Sequence, residues 1–194
     1  MKSVLISIQP YWVFLIIAKA MGWKTDKEKT IEVRKNFPKA EDWNKLVEIY
    51  CSKDKKSFNR IPKEYQPLME KFLGKVIGDF VCDKVYDLKY VPTVYYGKPA
   101  GTYEEMICNS SCLSVDQIKE YAKGRDIYGW HISNLKIYDK PKKLSEFKVE
   151  CPIKNKINGD CQLCKYANFS HYGNRPKCNA YLKRPPQSWQ FIEG

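Results

Sequence analysis

Glu28-Lys-Thr-Ile-Glu-Val-Arg-Lys35 alternates apolar Ile31 and Val33 with charged Glu32 and Arg34, the two-residue period of a half-buried strand. One face is made for a core and the other carries a charged pair. Facing water, that pair is ordinary. Lining a cleft, Lys29, Glu32 and Arg34 become a polar recognition or acid/base set, so the chain around this strand decides what it does.

Upstream, Val4 to Ile8 has the apolar content of a strand, and Gln9-Pro10 opens a helical run through Tyr11, Trp12, Leu15, Ile16 and Lys19 to Gly22. Proline fits the first helical turn and glycine fits the end. The apolar stretch from Trp12 to Ala18 is bounded by Pro10 and Lys19 and is far short of the roughly 20 residues a membrane span needs. It is expected to face the core. A basic loop, Lys24 to Lys29, leads into the charged strand.

Downstream, Lys45 to Cys51 alternates as a strand with Glu48 opposite Val47, Ile49 and Cys51. Ser52 to Arg60 has four basic residues and no apolar period, which predicts a surface loop. Pro62 to Phe72 suits a helix broken at Pro67, and Val76 to Val85 suits a strand buried on both sides. Pro92, Gly97, Pro99 and Gly101 punctuate the region from Asp87 to Cys112, where no element is assigned. Ser114 with Gln117 forms a capping box, Leu113 with Ile118 the matching hydrophobic staple, and Gly124 ends that helix. Tyr128 to Tyr138 reads as one long strand, and Gln187 to Ile192 as a closing strand.

With 194 residues, the chain is long enough for one domain with a substantial core. Its 34 Lys and Arg against 22 Asp and Glu give a formal charge of +12, which favours polyanions, nucleic acid before acidic membranes. Most of the excess is lysine, so phosphate contact is expected to outweigh base reading. Only Arg34, Arg60, Arg125, Arg175 and Arg184 supply a bidentate fork. There is no Ser/His/Asp set, phosphate-cradling glycine loop or HExxH pattern, which leaves the common hydrolase and nucleotide-binding routes without support.

Eight cysteines form the second signal. The opening residues do not read as a signal peptide, so a reducing, cytoplasmic setting is expected, where disulfides are rare. Cys51 and Cys82 occupy apolar strand positions and are expected to be small core residues; Cys108 and Cys112 flank the capped helix. Cys151, Cys161, Cys164 and Cys178 cluster in a segment poor in aliphatics, where a Cys-x-x-Cys knuckle and two further thiolates could hold one zinc ion. An iron–sulfur cluster, unligated thiols and redox activity of Cys161 with Cys164 are the alternatives, and His171 could replace Cys151 or Cys178 as a ligand.

Strand, helix, basic loop and charged strand, with Gly22, Lys29, Glu32 and Arg34 in that order, resemble the first motif of the ASCH domain, a family of the PUA-like superfamily. Gly74-Lys-Val-Ile-Gly-Asp-Phe-Val-Cys82 looks like the family's central strand. Tyr128-Gly-Trp-His-Ile-Ser-Asn-Leu135 and Arg184-Pro-Pro-Gln-Ser-Trp189 look like its closing strands. The prophage-type ASCH-like proteins are the nearest in pattern. The resemblance implies an α+β, mostly β fold: a PUA-like mixed β-barrel from residues 1–147 plus 187–194, with a few peripheral helices and a Cys-rich, metal-binding insertion at 148–186.

It also implies a phage-encoded nucleic-acid-binding protein, RNA before DNA, with no membrane partner. Trp23, Lys24, Lys29, Glu32, Arg34, Lys35, Tyr128 and His131 are its candidate contacts, with Trp23 and Tyr128 as stacking platforms. Some ASCH-like proteins are amidohydrolases that deacylate modified cytidine with a Lys, a Thr and a Glu. Lys29 matches that lysine, but Glu32 stands in place of the threonine, and the strand near Gly78 offers Asp79 and Asp83 rather than a glutamate. Lys29 and Glu32 would be the catalytic pair of such a hydrolase, or of a ribonuclease with His131. A phage protein that binds a host protein is the remaining alternative.

Overall fold

The computed structural model describes residues 2–39, 43–88, 103–149, 167–168, 177–178 and 181–193. Its first strand, β1 (Lys2–Ile8), hands the chain at Pro10 to helix α1 (Pro10–Ile17), with the proline in the first turn as expected. The helix stops before Gly22; turns follow in which Met21 and Trp23 donate to the carbonyls of Ile17 and Ala18, and Gly22 takes the left-handed φ of +68° that only glycine adopts without strain. Then come β2 (Ile31–Arg34), β3 (Trp43–Cys51), β4 (Val76–Val81) and β5 (Val85–Asp87).

The expected surface loop at 52–60 contains a short helix, α2 (Lys55–Phe58), whose start is capped by the Asp54 carboxylate accepting from the Ser57 N–H at 2.6 Å. Four residues are too few to show an apolar period, so only the cap could have announced it. Ser57 is buried and its hydroxyl accepts from the Tyr11 N–H, which docks α2 on the start of α1. Pro67 opens helix α3 (Gln66–Glu70) instead of breaking a longer one. Among the described residues β5 is followed by α4 (Tyr103–Ser111), in the stretch whose sequence shows no clear element, and by α5 (Val115–Ala122), which carries the expected reciprocal Ser114–Gln117 box. Strands β6 (Tyr128–His131) and β7 (Ser133–Lys142) precede a 3-10 turn at Leu144–Glu146, the two-residue strands β8 (Ala167–Asn168) and β9 (Lys177–Cys178), and β10 (Trp189–Glu193).

The larger sheet runs β10-β1-β3-β4-β7, with β1 and β3 parallel and the other neighbours antiparallel. The closing strand thus returns to pair with the first. Val4, Ile6, Ile8, Val47 and Ile49 face α1 and the main core; Leu5, Tyr50, Val76 and Ile192 face a second cluster with Phe147 and Leu182. Covering both faces explains why these strands are nearly continuous apolar runs.

The smaller sheet runs β2-β6-β5. Both strands expected to be long are divided, at 82–84 and at Ile132, where the chain passes between the two sheets. His131 donates its N–H to the Lys84 carbonyl and Ile132 to that of Thr30, which ties the corners together. Among the described residues the hydrogen-bonded ladders form these two sheets and the short β8–β9 pair, not one closed barrel. The architecture is α+β and mostly β. Cys51 and Cys82 are buried core thiols as expected, each pushed up to about 12 by burial. Among the described residues no helix is long and apolar enough to cross a membrane.

Candidate functional site

Strand β2 alternates as its sequence demands, yet all four residues are buried. Ile31 and Val33 pack with Ile107 of α4 and with Ile118 and Ala122 of α5. Glu32 and Arg34 point the other way, toward β1 and α1, where β2 borders a cleft of about 420 Å³, within the size range of small-ligand sites. The charged face therefore meets a cavity, not open water.

Lys29, Glu32 and Arg34 form one connected ionic group there. The Lys29 ammonium, 3% exposed, donates to the carbonyls of Ile31 at 2.8 Å and Ser111 at 2.9 Å and lies 3.4 Å from Glu32 Oε2. The other carboxylate oxygen of Glu32 pairs with Arg34 Nη2 at 3.0 Å. Arg34 also donates to the Ser7 carbonyl at 2.7 Å and the Ser188 carbonyl at 3.4 Å, which joins β2 to β1 and to the approach of β10. Burial lowers the Lys29 pKa, and Glu32 beside it opposes that shift. An ammonium has three protons, and the lysine nitrogen has three protein oxygens around it, two backbone carbonyls and the Glu32 carboxylate, that favour the charged form against that burial.

Among the described residues, two lining residues of the cleft carry a buried polar atom with no hydrogen-bond partner, Arg34 at Nε and Ser52 at its hydroxyl. Leaving such groups unpaired costs about 1–3 kcal/mol each. Trp12 and Tyr121 line the same cleft, and so do the amide side chains of Gln9, Gln117 and Gln187. Burial raises the Tyr121 pKa, so its hydroxyl stays protonated.

The expected contacts separate into groups. Lys29, Glu32 and Arg34 come together in the cleft, and Lys35 reaches its rim by lying 5.1 Å above the Tyr121 ring. Trp23 is stacked between Phe14 and Tyr65, at 5.9 and 5.4 Å between ring centres, and Tyr128 packs edge-on against Phe37 at 4.8 Å. Neither lines the cleft. His131 pairs with Ile31, on the opposite face of the small sheet to Glu32, and binds Asp83 at 2.7 Å, holding that carboxyl below its usual range. The aromatic cleft residues are Trp12 and Tyr121 instead. Tyr121 was findable, since it lies four residues from Gln117 and three from buried Ile118 on α5, beside the core-facing stripe of that helix.

Cys151, Cys161 and Cys164, with His171, lie outside the described residues, and Cys178 is placed only as part of β9. Among the described residues no three His, Cys, Asp or Glu side chains gather as a metal site.

No protein-family model matches the chain, and no curated protein matches it either. Among solved structures it is similar to two single-substitution variants of the ASCH protein of Zymomonas mobilis. For one, the identity is 15% and the TM-score 0.50, over 100% of this chain and 91% of the other. For the second, the values are 15% and 0.50, over 98% and 88%. This chain has the ASCH fold.

Proposed function

We propose, from that fold and from the cleft beside β2, that this chain binds nucleic acid, RNA before DNA, and holds one nucleotide against Lys29, Glu32 and Arg34. The observation that carries the reading is the buried ionic group of Lys29, Glu32 and Arg34 bordering that cleft. A group of two cations and one carboxylate is net positive and offers donors to an anion. Trp12 and Tyr121 give a base flat surfaces, and three glutamines can meet its edges. The formal charge of +12 adds lysine–phosphate attraction outside the cleft.

The test is binding of labelled mixed RNA across a salt series. Affinity should fall steeply, with a log–log slope of about −0.7 per neutralised phosphate on single strands. No binding of RNA or DNA at about 50 mM salt and micromolar protein, the scale of nonspecific affinities, would overturn the reading in favour of a protein partner.

An ASCH-type hydrolase is the second reading, favoured by the burial-lowered pKa of Lys29 beside Glu32. The three acceptors around that lysine weigh against it as nucleophile or base, because a proton must leave before nitrogen can react. Deacylation of N4-acetylcytidine by the wild type would establish it. As a separate element, Cys151, Cys161, Cys164 and Cys178 hold one zinc ion in the insertion at 148–186, on the strength of their soft ligands and the shortage of aliphatic residues around them. Elemental analysis of chelator-free protein should find about one zinc per chain; under about a tenth of that would refute the site.

A further inference from the structure

A second concavity, of about 290 Å³, lies on the other side of α1's first turn: Tyr11 lines it, and the next residue, Trp12, lines the cleft. Lys24, Lys27 and Arg60 give it three cations, against one carboxylate from Asp26. Arg60 spans the boundary. Its guanidinium carbon is 3.9 Å from the centre of the Tyr11 ring and 5.0 Å from that of Trp12, while the Lys29 ammonium is 5.3 Å from the same Trp12 ring. One cation of the cleft and one of the groove thus lie within about the same distance of a single indole ring.

The state of Arg60 is informative. Among the described residues its guanidinium has aromatic rings as its partners and no hydrogen bond or ion pair. Stacking occupies the flat face of a guanidinium and leaves its in-plane N–H fork open, the geometry that meets two phosphate oxygens. It also fixes a long side chain that would otherwise lose rotamer freedom on binding. α2 holds the backbone in place, with the Arg60 N–H donating to the Ser57 carbonyl and buried Ser57 bound to Tyr11.

We propose that this groove is a phosphate subsite, filled by the backbone linking the nucleotide in the cleft to its neighbour, so that the ligand is a strand and not a free nucleoside. The proposal rests on the cleft binding a nucleotide and adds where the chain leaves it: past Trp12, over Arg60, toward Lys24 and Lys27.

Intrinsic tryptophan fluorescence can titrate the four ribonucleosides, then the dinucleoside monophosphate of the tightest, then the same dinucleoside with an uncharged methylphosphonate link. The wild type should bind the dinucleoside monophosphate about tenfold tighter than the nucleoside, the effect of one charge-assisted hydrogen-bonded contact. The methylphosphonate should remove that gain in the wild type, and Arg60→Gln should remove it when each dinucleoside affinity is read as a ratio to the same protein's nucleoside affinity. Arg60 is exposed, so the variant should keep the wild-type melting midpoint. A gain that survives either change, or no gain in the wild type, overturns the subsite while the cleft stands. Failure of every one of these ligands, and of longer RNA, to bind overturns the cleft reading and the subsite with it.

Discussion

Two polar clusters sit on this fold, one buried and one half-buried, and they are built in opposite ways. At the cleft, two cations flank one carboxylate, the charges alternate through Lys29, Glu32 and Arg34, and an Arg34 N–H is left over. On the large sheet, Glu48 and Asp79 stand directly opposite each other on β3 and β4, and both reach the Tyr138 hydroxyl, at 2.6 and 2.8 Å. That hydroxyl has one proton for two carboxyls, so it can donate to only one of them at a time. Burial raises the Glu48 pKa, and burial with the two acids raises that of Tyr138. The first cluster pairs its charges; the second sets two acids against each other, so that burial favours a proton on Glu48.

Breaking the ionic cluster should have the largest effect. Glu32→Ala leaves Lys29 and Arg34 as like charges in a site where each is under a tenth exposed. Removing one partner of a buried pair typically costs about 3–5 kcal/mol. Urea unfolding should register that loss as a lowered midpoint at unchanged slope. A loss under about 1 kcal/mol, the scale of exposed pairs, would mean that water screens the cluster and that the cleft is more open than its burial indicates.

How much of this was legible follows from the same residues. The β2 alternation was readable because it depends on local pleat alone, and so were the α5 capping box and the core thiols. That the charged face is buried depends on β1, α1 and the approach of β10 closing over it, contacts between residues more than a hundred apart in the case of Arg34 and Ser188. Trp23 and Tyr128 were expected as stacking partners for a nucleotide near Lys29, Glu32 and Arg34. The turn after α1 instead carries Trp23 onto Tyr65, and Trp12, embedded in an apolar run, had no signal to separate it from core. Helix α4 was hidden because its buried apolar contribution is largely Ile107, with Met106 exposed, too little for a period to show. The Glu48–Asp79–Tyr138 cluster needed strand register, which the sequence does not encode locally.

Tyr138→Phe sharpens the contrast from the other side. It removes the shared hydroxyl and leaves two facing carboxyls without their common partner, at a cost of about 1–3 kcal/mol at neutral pH. Equilibrium unfolding measures this. A variant as stable as wild type would show that Lys142, which also acts on Glu48 and lies 4.1 Å above the Tyr138 ring, is sufficient to hold the acids.

The smallest change is the most discriminating, because it should stabilise. The folded-state pKa of Glu48 is raised, so the folded chain holds this proton more tightly than the unfolded chain does. Its contribution to stability is therefore complete below the ordinary glutamate value, near 4.3, and is lost as the pH rises through the raised value. Above that, a buried carboxylate faces Asp79, with Lys142 as the opposing charge. Glu48→Gln stays neutral throughout, and its amide oxygen still accepts from the Tyr138 hydroxyl. It should exceed the wild type by about 1 kcal/mol at pH 7, and the difference should shrink toward zero below about pH 4. Urea midpoints measured at each pH read this directly. Parallel curves, or a variant less stable than wild type at every pH, would show that Glu48 stays ionised at no cost, and the contrast between a charge-pairing and a proton-holding cluster would fail.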